Sequence, residues 1–152
     1  MKRFVALLLV LCALPIIGFA KTNFIDSFSV AFKSNCATYG LAQPQRPFVT
    51  DGLVMYSTDD FQLLLYYEDG SEVFGFAIFT YVRKADFDMV AYAASFIEPA
   101  FGKEFVDALL DAVLRYRGKD PVFSYTKSNS GFVLVDKGDD GKPYIAVKLG
   151  SE

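Results

Sequence analysis

The stretch Glu72–Arg83 has no polar face. Read as a strand, it sends Val73, Gly75, Ala77, Phe79 and Tyr81 to one side and Phe74, Phe76, Ile78, Thr80 and Val82 to the other. Its length and apolar content predict a central position in a sheet. The preceding stretch Phe61–Glu68 behaves similarly, with Phe61, Leu63, Leu65 and Tyr67 opposite Gln62, Leu64 and Tyr66. An antiparallel sheet with one wet face alternates apolar with polar residues. This pair does not, which predicts cover on both faces. Gly75 and Ala77 are small, so their side is expected to admit a closely packed helix, with Lys103–Arg117 as the candidate. The side assigned to Tyr66, Phe74 and Phe76 then needs the N-terminal helix, a partner chain or an apolar ligand, and these three residues form the candidate partner or ligand face.

Around this strand pair the chain alternates periods. Over Thr22–Tyr39, Ile25, Phe28, Phe32 and Cys36 recur at helical spacing with Gly40 as a stop, while Phe28, Val30 and Phe32 also alternate as a strand would. The longer pattern favours helix. Two prolines make Leu41–Pro47 extended. Phe48–Ser57 reads as a strand interrupted near Asp51-Gly52, and Asp69-Gly70 marks a hairpin turn. Ala85–Phe101 is helical, capped by Asp86, with Phe87, Val90, Ala94 and Ile97 on one face, and should end or kink before Pro99. Lys103–Arg117 is a second helix, with Phe105, Val106, Leu109, Leu110, Val113 and Leu114 as its apolar stripe and Gly118 as its stop. Val122–Lys127, Phe132–Asp136 and Tyr144–Leu149 close the chain as strands. The expected fold is α+β: an antiparallel sheet of about six strands packed against a helical pair, plus an N-terminal helix.

Residues 1–20 are set apart. Lys2-Arg3, an apolar run from Phe4 to Ile17 and Gly18-Phe19-Ala20 before Lys21 have the layout of a cleaved signal peptide. The run is shorter than the roughly 20 residues a membrane-spanning helix needs. The expected division is a leader over 1–20 and one domain over 21–152, secreted or periplasmic, without stable membrane insertion after cleavage. Removing the leader lowers fifteen basic residues to thirteen against eighteen acidic ones, a net charge of −5. That balance argues against a nucleic-acid partner.

Chemistry is sparse. The chain contains no histidine, the commonest general base and metal ligand. Cys36 would be the single thiol of the mature chain, expected to be buried, with pairing between chains as the alternative. Asp136–Gly141 resembles the start of a calcium loop, but Gly138 and Val147 fall where oxygen ligands are required, so an acidic turn is expected and no metal. Glu104, Asp107 and Asp111 share one helix edge near Glu98, where Asp107 and Asp111 form a mildly unfavourable pair typical of a solvated surface. Ser95, Ser124 and Ser130 lack a nucleophile-elbow context. No catalytic residue, cofactor or metal is therefore assigned. The expected function is binding, most simply of another protein, with self-association left open. A carrier of an apolar small molecule is the alternative, and a carboxylate-dependent hydrolase the third reading.

Overall fold

The computed structural model describes residues 25–50, 52–58, 61–67, 73–80, 87–128 and 131–149; for Phe61, Tyr67, Val73–Thr80 and Phe87 it describes the backbone alone. The expected leader over 1–20, the Asp69-Gly70 turn, the Asp86 cap and Ser130 lie outside the described residues, as do the side chains of Phe74 and Phe76.

Residues 25–38 form helix α1, followed by strands β1 (Phe48–Thr50), β2 (Leu53–Ser57), β3 (Phe61–Tyr67) and β4 (Val73–Thr80). Helices α2 (Phe87–Phe101) and α3 (Lys103–Arg115) come next, then strands β5 (Val122–Tyr125), β6 (Gly131–Lys137) and β7 (Pro143–Leu149). The class is α+β. The strands make one antiparallel sheet in the order β1-β2-β3-β4-β7-β6-β5, with β4 at its centre. The count is seven rather than about six because Phe48–Ser57 folds back on itself. Thr50 pairs with Leu53, leaving a two-residue turn in which Gly52 takes a φ of 76°. An Asp-Gly dipeptide suits such a turn because the second position needs positive φ.

Helix α1 ends as its sequence suggests. Leu41 N–H donates to Cys36 O and Gly40 N–H to Ala37 O, which closes the last carbonyls in a Schellman arrangement. Its inward stripe, Phe28, Phe32 and Cys36, is buried. Phe28 and Phe32 meet Tyr56 of β2 and Phe96 of α2, with ring centroids 5.0 to 6.1 Å apart. Such pairs add about 0.5–1.5 kcal/mol each beyond the area they bury. The Tyr56 hydroxyl is hydrogen-bonded to Ser29 Oγ, and burial pushes the phenol's pKa up. Tyr92 of α2 donates its hydroxyl to Ala42 O and so ties the proline-bearing linker to the helical layer.

Both long helices depart from expectation. α2 runs through Pro99 to Phe101, and the chain breaks only at Gly102, whose N–H donates to Glu98 O. The stripe expected along Val90 and Ala94 is only half-buried, whereas Met89, Tyr92, Ala93, Phe96 and Ile97 are buried, because α2 lies between α1, α3 and the sheet. α3 stops at Arg115, short of Gly118. Its buried side is Phe105, Ala108, Leu109 and Ala112, leaving Leu110 and Leu114 exposed at 45% and 72%. The stripe is rotated toward the alanines, which let α3 settle closely on β5 and β6.

All three described helices pack on one face of the sheet. Cross-strand partners share a face. On the covered face the register joins Val54, Leu65, Phe76, Val147, Val133 and Ser124 in one row, and Tyr56, Leu63, Ile78, Ile145, Val135 and Val122 in the next. Val54, Tyr56, Leu63, Leu65, Val133, Val135, Ile145 and Val147 are at most 3% exposed. Gly75 and Ala77 therefore stand on the side away from the helices, the reverse of the expectation that their small size would seat Lys103–Arg117.

Candidate functional site

The face away from the helices carries its own apolar row. Register aligns Phe48, Met55, Leu64, Ala77, Ala146, Leu134 and Phe123 across all seven strands. The adjoining row runs Thr50, Leu53, Tyr66, Gly75, Lys148, Phe132 and Tyr125. Among the described side chains, Phe48, Tyr66, Phe123 and Tyr125 are exposed, while Met55, Leu64, Leu134 and Ala146 are half-buried. At about 4.8 Å per strand, the first row is apolar over about 30 Å of the sheet. Exposed apolar patches on a monomer are often functional. The middle of each row holds a small residue on β4: Ala77 between Leu64 on β3 and Ala146 on β7, and Gly75 between Tyr66 on β3 and Lys148 on β7.

The β5–β7 corner is the most aromatic part of this face. Phe132 sits 5.5 Å from Phe123 and 5.8 Å from Tyr125 between ring centroids, and Lys148 Nζ lies 6.0 Å from the Phe132 ring. A cation over a ring is favourable, and here it places a charged head within the second row, between Gly75 and Phe132. Asp136, on the same face, accepts a hydrogen bond from the Tyr144 hydroxyl at 3.3 Å.

Beside β5 lies a groove of about 240 Å³, lined by Glu104, Asp107, Ala108, Asp111, Ser124, Tyr125 and Lys127. Helical spacing of four and three residues brings the acidic side chains to one edge of α3. Asp111 is not simply solvated. Ser124 Oγ donates to its Oδ2 at 2.7 Å, and Arg115 Nη2 at 2.6 Å. The Ser124 bond first, then the Arg115 bonds, hold its carboxyl below the usual carboxylate range. Glu104 accepts from Ser128 Oγ at 2.7 Å. An acid–base pair needs one carboxyl raised toward neutrality, and Asp111 is shifted the opposite way. Asp140, in the acidic turn after β6, accepts the Lys142 N–H and is likewise held low.

Tyr66, Phe74 and Phe76 do not make one face. Tyr66 pairs with Gly75 on the open side, and Leu65, fully buried, pairs with Phe76. The register skips Phe74 between the Tyr66–Gly75 and Tyr67–Val73 pairs, a β-bulge. Only Tyr66 joins the open rows. Phe123 and Tyr125, its aromatic counterparts on β5, were visible in sequence only as strand residues. Their signal was Ser124 standing polar between two aromatics, which marks a strand with differently covered faces. No family model, curated protein or solved structure matches the chain.

Proposed function

We propose that this chain is an exported, non-enzymatic binding protein that recognises another protein through the open face of its sheet. The observation that carries this reading is the apolar row from Phe48 to Phe123 on the side away from the described helices. A broad surface that exposes Phe48, Tyr66, Phe123 and Tyr125 suits a protein partner, since Tyr and Phe are enriched in protein–protein interfaces over the rest of the surface. Lys148 within the second row and Asp136 beyond the first supply polar groups for orientation. Export follows from the leader: expressed with it, the protein is expected outside the cytoplasm with Lys21 as its first residue.

The test is site-specific photo-crosslinking in the cell that makes the protein. A photoreactive residue replacing Phe123, or separately Phe48, is expected to trap one discrete protein adduct. The same residue at Val30, exposed on α1, is expected to trap none. Equal labelling from all three positions, or no adduct from either sheet position, overturns the proposal. A lipid or other apolar small molecule retained on the exported protein, seen by native mass spectrometry and lost with Leu64→Glu, would favour the carrier instead.

A further inference from the structure

We infer that the free edge of β5 and the α3 groove beside it form a second binding site, taking an extended segment of a partner protein that alternates basic with apolar side chains. β5 is the last strand of the sheet. Thr126 N–H donates to Gly131 O across the β5–β6 pair, which sets the alternation of the ladder. Ser124 and Val122 then spend their backbone groups on β6, and those of Phe123 and Tyr125 point outward. Arg115 marks this direction directly, because its Nη2 donates to Phe123 O at 2.7 Å. The outward N–H groups of Phe123 and Tyr125 face no further strand among the described residues. With Phe123 O held by Arg115, the outward groups left on this edge among the described residues are these two N–H groups and Tyr125 O, a short template for strand addition.

The two sides of that edge differ in chemistry, and the difference selects the ligand. An added strand keeps the alternation of the sheet, so every second side chain falls on the helix side, beside Ser124, and enters the groove. There Glu104, Asp107 and Asp111 face a single lysine, Lys127, with Arg115 already bound to Asp111. Glu104 and Asp111 accept hydrogen bonds within the groove, whereas Asp107 has none among the described residues. Asp107 is therefore the carboxylate placed to receive a lysine or arginine. The remaining side chains of the added strand fall on the open side, against Phe123 and Tyr125, where an apolar or aromatic group is favoured. The other sheet edge, β1, is three residues long and, among the described residues, carries no comparable acidic row.

The experiment uses the protein exported with its own leader and a short fluorescent peptide alternating lysine with valine, capped at both ends. Anisotropy is expected to show saturable binding, and the amide resonances of Phe123 and Tyr125 to shift on titration. Asp107→Asn, an exposed change that leaves the melting temperature in place, is expected to weaken binding at least about fivefold. The same peptide N-methylated at alternate amides, so that it cannot pair with an edge, is expected not to bind. Three results would each overturn the inference: no binding by the alternating peptide, equal binding by a peptide with its lysines grouped together, or full binding by the N-methylated one. None of them bears on the open face, which a Phe48 crosslink tests separately.

Discussion

Pro99 makes a hole in helix α2 that another helix fills, and this can be measured. A proline has no N–H, so the bond that residue 99 would donate to the Ser95 carbonyl, four residues back, is missing. Ser95 is fully buried, and water is not at hand to replace it. Asn35 of α1 supplies the donor instead, its Nδ2 lying 3.2 Å from Ser95 O. Asn35→Ala should therefore strand a buried carbonyl, at a cost of about 1–3 kcal/mol. Pro99→Ala restores the helical donor. A proline in a helix interior costs about 3 kcal/mol relative to alanine, and its rigidity in the unfolded chain returns about 0.4–1 kcal/mol. Since this helix already accommodates the ring, the net expectation is a modest gain. In the Pro99→Ala background the carbonyl has its own partner, and Asn35→Ala should then cost under about 1 kcal/mol. Urea unfolding of the four proteins should show a coupling of about 1–2 kcal/mol between sites on different helices. Additivity within about 0.5 kcal/mol would refute the account.

Ser95 Oγ is buried without a partner among the described residues, so Ser95→Ala should raise stability by about 1 kcal/mol in the same assay; a loss of that size would mean the hydroxyl is bonded. Gly131 has no room for a side chain, because a Cβ there would lie 2.0 Å from Lys148 O and 2.9 Å from Phe105 Cζ. Gly131→Ala should thus cost more than about 3 kcal/mol, and a near-neutral midpoint would disprove the close approach of β6 to β7. Leu65 is fully buried and Leu64 is not, so Leu65→Ala should cost about 2–5 kcal/mol and Leu64→Ala markedly less; equal losses would mean that both faces are covered. Burial pushes the Cys36 thiol up from 9.0 to about 11. The folded state holds this proton more tightly than the unfolded one, so the contribution is fully present below pH 9 and is lost as pH rises toward 11. Stability measured across that window should fall less steeply in Cys36→Ala than in the native chain.

The helices show where periodicity suffices and where it does not. α1 was legible because its contacts with β2 and α2 fall along one side, and Phe28, Phe32 and Cys36 are that stripe. α2 touches α1, α3 and the sheet, so burial wraps most of its circumference and no single stripe could announce it. The local chemistry of Pro99 predicts an end or a kink, yet the lost bond to Ser95 O is met by Asn35, sixty positions from Ser95, which local rules cannot see. On α3, Leu110 and Leu114 outweigh Ala108 and Ala112 in hydropathy but lose to them in fit, since close packing on β5 and β6 rewards the smaller side chains.

The sheet teaches the complementary lesson about faces. β4 is apolar on both sides, so nothing within it says which side the helices choose, and residue size pointed the wrong way. The deciding information sat in other strands. On β7, Ile145 and Val147 alternate with Tyr144, Ala146 and Lys148; on β6, Val133 and Val135 alternate with Leu134 and Asp136. Those strands each have one face on which a charge is tolerated, and pairing through β7 carries that choice to β4: Lys148 to Gly75, Val147 to Phe76. A charged residue is costly to bury unpaired, so Lys148 and Asp136 assign the open side for the whole sheet. Leu64, Ala77, Ala146 and Leu134 then occupy positions that a solvated face would fill with polar residues. That departure from alternation is confined to the face away from the helices, and it is what makes this face the candidate binding surface rather than ordinary exterior.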